Sequence, residues 1–185
     1  MAETDIIRNI RKGDTQAFKL LVEQHQKLVF RTVMGFVHVK EDAEDLTQEV
    51  FINAYQSLNH FEEKAEFATW LYRITVNTCL NHIKKNRFRK LFDFAEEKWQ
   101  TLFDQQDNQV NPEEQLIDQE MNIQIKKAIN QLTEKQRTAF ILSKYNELPQ
   151  KRIAEIMQLS EGAVEQHLQR AKTKLHKKLS GLVGK

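Results

Sequence analysis

The sequence predicts an all-α protein in which an acidic linker joins two small helical domains. Only 5 Gly and 2 Pro occur among the 185 residues, so turn signals are few and helix-forming residues dominate. Apolar residues recur at the spacing of one helix face along most of the chain. Charge and periodicity place the first domain at 1–92, the linker at 93–113 and the second domain at 114–185.

The net charge of +2 conceals a strong segregation of charge along the chain. Residues 1–92 carry 14 basic and 12 acidic groups, residues 93–118 carry 1 and 8, and residues 119–185 carry 13 and 6. A basic C-terminal unit next to an acidic strip is typical of a protein that binds nucleic acid.

Several protein classes are excluded by composition. The single cysteine, Cys79, excludes an internal disulfide bond, and no apolar run approaches the roughly 20 residues that span a bilayer. The N-terminus has neither the basic nor the apolar segment of a secretion signal. We therefore expect a cytoplasmic protein without direct membrane insertion.

The first domain contains four predicted helices. A short helix over Thr4–Lys12 ends at Gly13, and Asp14 caps a longer helix that buries residues from Phe18 to Val33. After a turn at 38–40, a third helix buries Ala43, Leu46, Val50, Phe51, Ala54 and Leu58 and exposes an acidic face. The fourth helix extends from Phe67 to about Leu91.

The second domain shows the pattern of a helix-turn-helix. A helix follows Pro112 and ends near Asn130, and the sequence from Thr133 to Gln136 forms a capping box for the next one. A short helix over 150–157, a turn at 158–160 and a helix from Glu161 capped by Ser160 then follow. In this motif the last helix enters the major groove with its exposed N-terminal side chains.

The exposed side chains of the last helix suit DNA. Gln and Arg match adenine and guanine edges, and lysines match phosphates, which position the protein without specifying sequence. The candidate DNA-reading residues are Glu161, Glu165, Gln166, Gln169, Arg170, Lys172 and Lys174, and Lys151 and Arg152 are further candidates for phosphate contacts. The alternative is an ordinary helical hairpin with a charged, solvated face.

The fourth helix carries an aromatic and amide block that runs into a basic stretch. Such a surface supplies the stacking, base-edge contacts and phosphate neutralisation that single-stranded DNA binding needs, although the aromatic residues equally fit core packing. The candidates for contacting single-stranded DNA on this helix are Phe67, Trp70, Asn77, Asn81, Lys84, Lys85 and Arg87.

Signatures of catalysis and of metal binding are missing from the sequence. It contains no Gly-rich phosphate loop, no paired-histidine zinc motif and no nucleophile elbow. The six histidines are scattered and are predicted to be surface residues. We expect no catalytic residue, no metal site, no cofactor and no small-molecule substrate.

Three segments together resemble the bacterial RNA polymerase sigma-70 family: Asp42 to Phe51, Phe67 to Asn77, and Leu132 to Leu175. The short chain with two domains is similar to the extracytoplasmic-function (ECF) group. The resemblance implies that the first domain binds core RNA polymerase through Asp45, Gln48, Glu49 and Phe51. It also implies that the loop 59–66, which contains Phe61 and Lys64, and the following helix capture melted minus-ten DNA. The helix from Glu161 would read the minus-thirty-five element.

The resemblance further implies that the acidic linker occupies the nucleic-acid channel of the polymerase and that an anti-sigma partner holds the unbound chain. The sequence departs from the family pattern at Pro149, at Asn81 and at the run Glu165-Gln166-His167. A glutamate in the reading helix repels phosphates, so the promoter sequence does not carry over from the family. Three alternatives remain: a helix-turn-helix repressor or activator that acts without polymerase, a helical nuclease, and an adaptor that binds only protein.

Overall fold

The computed structural model describes residues 3–97 and 113–180, with side chains at 3–87 and 121–180, and it confirms the all-α class. No strand occurs within the described ranges. The N-terminal domain contains α1 (Glu3–Arg11), α2 (Phe18–Val37), α3 (Lys40–Ser57) and α4 (Phe67–Glu97). The C-terminal domain contains α5 (Glu113–Asn130), α6 (Glu134–Lys144), α7 (Gln150–Met157) and α8 (Glu161–Leu179). No described helix is long and apolar enough to cross a membrane.

The N-terminal domain packs α2, α3 and α4 around one apolar core. Leu21, Val29 and Val33 of α2 are fully buried, as are Ala43 and Val50 of α3. Asp14 caps a short 3-10 turn, Thr15–Ala17, that leads into α2, because its carboxylate accepts a hydrogen bond from the Ala17 N–H at 3.2 Å. The apolar periodicity of the sequence therefore identified the buried faces of these helices.

The C-terminal domain follows its local capping signals closely. Thr133 and Gln136 form the predicted capping box at the start of α6. The turn between α7 and α8 places Gln158 in the left-handed region (φ 54°), and the Ser160 hydroxyl accepts a hydrogen bond from the Ala163 N–H at 3.2 Å. Side-chain caps satisfy N–H groups that the first helical turn leaves without partners. The predicted helix-turn-helix therefore has the expected bounds.

The fourth helix is longer than the sequence pattern predicts. It ends at Glu97 rather than near Leu91, so the first five positions of the predicted linker are helical. Apolar periodicity fades at Asp93, but the backbone hydrogen bonds of a helix do not require an apolar face. The middle of the predicted linker, 98–112, lies outside the described residues.

Candidate nucleic-acid interface

The helix-turn-helix rests on a packed inner face that orients α8. Val164, Leu168 and Ala171 of α8 are buried, as are Ile153 and Ile156 of α7. Because these apolar residues recur at helical spacing, the opposite face of α8 is turned outward. This geometry is that of a reading helix supported by the helix before it.

Six of the seven predicted reading residues form one exposed surface on the first turns of α8. The exposed side chains are Glu161, Glu165, Gln166, Gln169, Arg170 and Lys172. Lys174 is partly buried, and its Nζ donates a hydrogen bond at 2.6 Å to the carbonyl oxygen of Gln131. In this structure Lys174 therefore stabilises the turn after α5 and is separate from the exposed reading surface.

Three aromatic rings cluster at the start of α4. The centroid of Phe61 lies 5.7 Å from that of Phe67 and 5.2 Å from that of Trp70, and the Phe67 and Trp70 centroids are 5.5 Å apart. Phe61 and Phe67 are buried, with 5% and 3% of their surfaces exposed, whereas Trp70 is half-buried. Core packing thus accounts for the two phenylalanines, and Trp70 presents the accessible ring of the cluster.

A cavity of about 400 Å³ lies between the loop before α4 and the first helix. We call it the loop pocket; its lining residues are Glu3, Thr4, Ile7, Phe61, Glu63, Lys64, Ala65, Glu66 and Phe67. Such a volume accommodates a nucleobase, since small-molecule pockets begin at about 300 Å³. Carboxylates can accept hydrogen bonds from the exocyclic amino group of a base.

Arg11 and His25 position this loop and the first helix. Arg11 donates hydrogen bonds to Glu63 at 2.9 Å, to the carbonyl oxygen of Leu58 at 3.2 Å and to that of Phe61. His25 Nε2 lies 2.8 Å from Glu3 Oε1, and His25 is only 8% exposed. The prediction that every histidine lies on the surface is therefore wrong for His25, whose burial depends on contacts distant in sequence.

The predicted melted-strand residues further along α4 are exposed, but several face the C-terminal domain. The exposed residues are Asn77, Asn81, Lys84, Lys85 and Arg87. Asn77 lines a groove of about 350 Å³ that includes Met157 and Gln158 from the second domain. Lys64, in the loop, is exposed and forms an ion pair with Glu62 at 2.5 Å.

The acidic face of α3 presents three of the four residues predicted to bind polymerase. Asp45, Gln48 and Glu49 are exposed. Phe51 is only 7% exposed, and its ring packs edge-on against Phe18 with centroids 6.5 Å apart. Phe51 therefore lies in the buried stripe that its spacing predicts, and little of its ring is free for a partner.

Two apolar residues on the outer face of α3 were missed by the sequence analysis. Ile52 is 55% exposed and Tyr55 is 42% exposed. Ile52 follows Gln48 by four residues and therefore shares its face. An apolar side chain at an acidic-face position was the signal that could have identified it.

His38 lies where the end of α2 meets the C-terminal domain. Burial lowers its pKa to about 4, with Lys126 and Arg137 adding to the effect and a hydrogen bond with Asn130 opposing it. Its backbone is left-handed, with φ 64°. A neutral His38 is therefore part of the contact between the domains.

Neither thiol reactivity nor metal binding is indicated by the described side chains. Cys79 is fully buried, and burial raises its pKa to about 12, which keeps the thiol protonated. Among the described residues, no group of three or more His, Cys, Asp or Glu side chains is placed to hold a metal ion.

Comparison with known proteins gives matches to both domains. The family model for sigma-70 region 2 matches residues 21–89, and the model for sigma-70 region 4 matches residues 122–175. The RNA polymerase sigma-H factor of Pseudomonas aeruginosa is 32% identical over 98% of this chain and 95% of its own length. The ECF RNA polymerase sigma factor SigW of Bacillus subtilis is 31% identical over 95% of this chain and 96% of its own length.

Solved structures show the same fold. CnrH, in complex with the cytosolic domain of CnrY, gives a TM-score of 0.66 at 22% identity over 98% of this chain and 99% of that one. The sigma factor RpoE of Bartonella quintana, in complex with the anti-sigma factor NepR, gives a TM-score of 0.62 at 22% identity over 90% of this chain and 98% of that one.

Proposed function

We propose, because this chain belongs to the ECF group of the sigma-70 family of RNA polymerase factors, that it directs core polymerase to promoters by holding DNA at two places. The outer face of α8 reads duplex DNA at the minus-thirty-five element. The loop pocket and the exposed face of α4 hold the separated strand at the minus-ten element. This role is favoured over that of a repressor or activator that acts without polymerase.

One observation carries the proposal: the loop pocket lies next to an accessible aromatic ring, at the start of a helix whose later turns carry exposed basic residues. Melted DNA offers an unstacked base, which needs a cavity and a stacking partner, and a backbone, which needs cations. The loop pocket and Trp70 fit the base. Lys84, Lys85 and Arg87 fit the phosphates.

Core polymerase is the partner of the outer face of α3. Asp45, Gln48 and Glu49 supply charge and hydrogen-bonding groups there, and Ile52 and Tyr55 supply exposed apolar area beside them. Apolar residues within a polar rim are the usual anatomy of a protein interface. We include Ile52 and Tyr55 in this interface and leave Phe51 out.

The chain itself performs no catalysis in this proposal, because the polymerase forms the phosphodiester bonds. It acts in the cytoplasm, where core polymerase and the chromosome are found. The acidic linker occupies a basic channel of the polymerase, to which its net charge of −7 over residues 93–118 is suited. An anti-sigma protein is a further partner, by analogy with the complex of RpoE and the anti-sigma factor NepR, in which RpoE has a similar fold.

The test is reconstituted transcription with core polymerase on genomic DNA, with the RNA starts mapped. We expect a set of defined starts that require this chain and share two sequence elements upstream. The opposite result is no new start and no binding to core polymerase, while the chain alone binds duplex DNA. That outcome would show that the protein is a repressor or activator that acts without core polymerase.

A further inference from the structure

A second cavity, of about 260 Å³, borders the basic stretch of α4 and lies apart from the loop pocket. We call it the arginine pocket. Its polar lining residues are Asp42, His82, Asn86, Arg87, Asn130 and Arg137. None of them lines the loop pocket. Two arginines against one carboxylate among the described lining residues suit a small anionic ligand.

The two arginines of the pocket converge on one backbone oxygen. Arg87 donates a hydrogen bond at 3.3 Å to the carbonyl oxygen of Asn130. Arg137 donates to the same oxygen and, at 3.4 Å, to the carbonyl oxygen of Leu132. Asn130 is the last residue of α5, and a helix C-terminus carries only about half an elementary negative charge. This helix end therefore cannot neutralise both guanidinium groups.

No carboxylate completes the neutralisation within the part of the chain that the structure describes. Neither guanidinium forms an ion pair there, and Glu134 is paired with Lys84 at 3.3 Å. Arg137 is only 3% exposed, and its Nε–H has no hydrogen-bond partner among the described groups. A buried charge without a counterion is costly, because the protein interior solvates it less well than water does. An anion in the pocket would reduce this cost.

Neighbouring titratable groups report the same excess of positive charge. Burial and the charge of Arg87 lower the pKa of Arg137, and Glu134 opposes them. Burial, Lys126 and Arg137 lower the pKa of His38 to about 4. Both shifts indicate a positive local potential, which raises the local concentration of anions.

We propose that the arginine pocket binds a phosphate group. The guanidinium forks of Arg87 and Arg137 match the oxygens of a phosphate, with which they form charge-assisted hydrogen bonds. Asn86 Nδ2 and His82 Nε2, which lie 2.8 Å apart, place further polar groups at the pocket. Asp42 supplies an acceptor for a protonated phosphate oxygen. Sulfate carries no such proton at neutral pH.

The size of the pocket limits how much of a ligand it encloses. Its volume of about 260 Å³ is below the ~300 Å³ at which pockets for whole small molecules begin. A free phosphate ion and the terminal phosphate of a nucleotide both fit, whereas the nucleoside would stay outside. Both sources present the same chemistry to the two arginines.

The inference goes beyond the proposed function and does not depend on it. Phosphate binding is a property of the full chain that can be measured without polymerase or DNA. If the proposed function also holds, a bound phosphate and the melted strand compete for Arg87. Free phosphate would then weaken binding of the strand.

Titration of the full chain with sodium phosphate tests the site, with the N–H signals of arginine side chains followed by NMR. We expect a saturable shift of the Arg137 Nε–H signal, with a Kd of about 1 mM or below. Sodium chloride at equal ionic strength should not reproduce the shift. Sulfate should bind about tenfold more weakly or worse, since it offers no proton to Asp42.

A separate basic groove provides the internal control for non-specific binding of anions. We call it the lysine groove; Lys174, Lys177 and Lys178 are among its lining residues. Their backbone amide signals should stay unchanged while the Arg137 signal shifts, because lysines on an open surface attract ions without holding them in one place.

A matched pair of variants locates the charge that binds phosphate. Arg87→Gln removes one of the two guanidinium groups and should raise the Kd for phosphate by about tenfold or more. Lys85→Gln removes the same charge from an exposed position of α4 that does not line the pocket, and should change the Kd by less than about twofold. Circular dichroism shows whether each variant is folded. If Arg87→Gln is not, the wild-type titration still locates the site.

Three results would overturn the proposal. Shifts without saturation, or equal shifts at the lysine groove, would show only a non-specific accumulation of anions. Equal affinity for sulfate would show that the pocket does not select phosphate. Equal weakening in the two variants would show that net charge, rather than the pocket, attracts the ion.

Pyrophosphate and ATP as further ligands distinguish the two sources of the phosphate group. Tighter binding of either one than of inorganic phosphate would indicate the terminal phosphate of a larger molecule, and weaker binding of both would indicate the free ion. Each result supports a phosphate site. Since none of these measurements uses polymerase, they stand whether or not the chain directs transcription.

Discussion

At the scale of single residues, adjacent positions of α3 differ in burial, and we propose that only the exposed one binds a partner. Phe51 is 7% exposed and packs on Phe18, whereas Ile52 is 55% exposed. The two side chains differ by one position and therefore by about 100° around the helix. Their functions should differ accordingly.

We expect Phe51→Ala to lower the free energy of unfolding by about 3 kcal/mol or more, because it leaves a cavity in the core. The matched variant Ile52→Ala should change stability by less than about 0.5 kcal/mol. It should weaken binding to core polymerase by roughly tenfold, as for an apolar interface residue. Denaturant unfolding measures the stability of each variant, and titration with core polymerase measures its binding. A loss of stability in Ile52→Ala together with a loss of binding in an otherwise stable Phe51→Ala would contradict this interpretation of α3.

His38 gives the domain contact a pH dependence. Its pKa in the folded chain is about 4, below its ordinary 6.5, because of burial beside Lys126 and Arg137. The unfolded chain therefore binds a proton at higher pH than the folded chain does. The stability that neutral His38 allows is present above about pH 6.5 and is lost as pH falls towards 4.

The variant His38→Asn should remove this dependence, since asparagine tolerates the left-handed backbone at φ 64°. Between pH 6.5 and 4 we expect the wild type to lose on the order of 1–3 kcal/mol more than the variant, after allowance for solvent screening. Urea unfolding across this pH range measures the difference. Parallel pH profiles would show that His38 does not titrate in this way.

At the scale of the helical elements, local sequence signals predicted the helix bounds of the C-terminal domain. The burial of several other side chains depends instead on contacts between residues that are distant in sequence. The bounds of α7 and α8 follow from Gln158 and Ser160, which act within one turn of sequence. The burial of His25 and of Tyr72 could not be predicted in the same way. Tyr72 is buried, and Asn146 of the other domain lies beside its hydroxyl.

The contribution of the Ser160 cap to stability can be measured separately from the DNA contacts of α8. Ser160→Ala removes the acceptor for the Ala163 N–H and should cost about 1 kcal/mol of stability. Thr173→Ala, at an exposed position in the middle of the same helix, should cause no loss, because alanine favours helix. Thermal unfolding of both variants provides the comparison, and equal losses would argue against the cap.

Substitution on the reading face of α8 should change the sequence specificity of DNA binding. Arg170→Ala should weaken binding to the minus-thirty-five element by about 1–3 kcal/mol if Arg170 contacts a base edge. His176→Ala, exposed nearer the end of the helix, is the control and should have little effect. Transcription with core polymerase on promoters altered one base pair at a time shows whether discrimination at a single position disappears. Unchanged discrimination would exclude Arg170 from base reading.

At the scale of the whole molecule, the assigned surfaces must act together although the structure holds them partly against each other. The predicted DNA cations Lys84, Arg87 and Arg152 have partners within the chain. The sequence predicted both domains and most of their exposed residues, because each domain carries its own periodicity and caps. It could not predict the contact between the domains, which depends on Gly35 and on residues more than 100 positions away.

The most direct test of the central claim is permanganate footprinting of a promoter with core polymerase, in the presence and absence of this chain. Permanganate oxidises thymines that are unstacked, so it reports the separated strand itself. We predict reactive thymines at the minus-ten element only when core polymerase and the chain are both present. Promoter DNA that stays unreactive in the mixture, while the chain alone binds the duplex, would contradict the claim that this protein traps melted DNA for the polymerase.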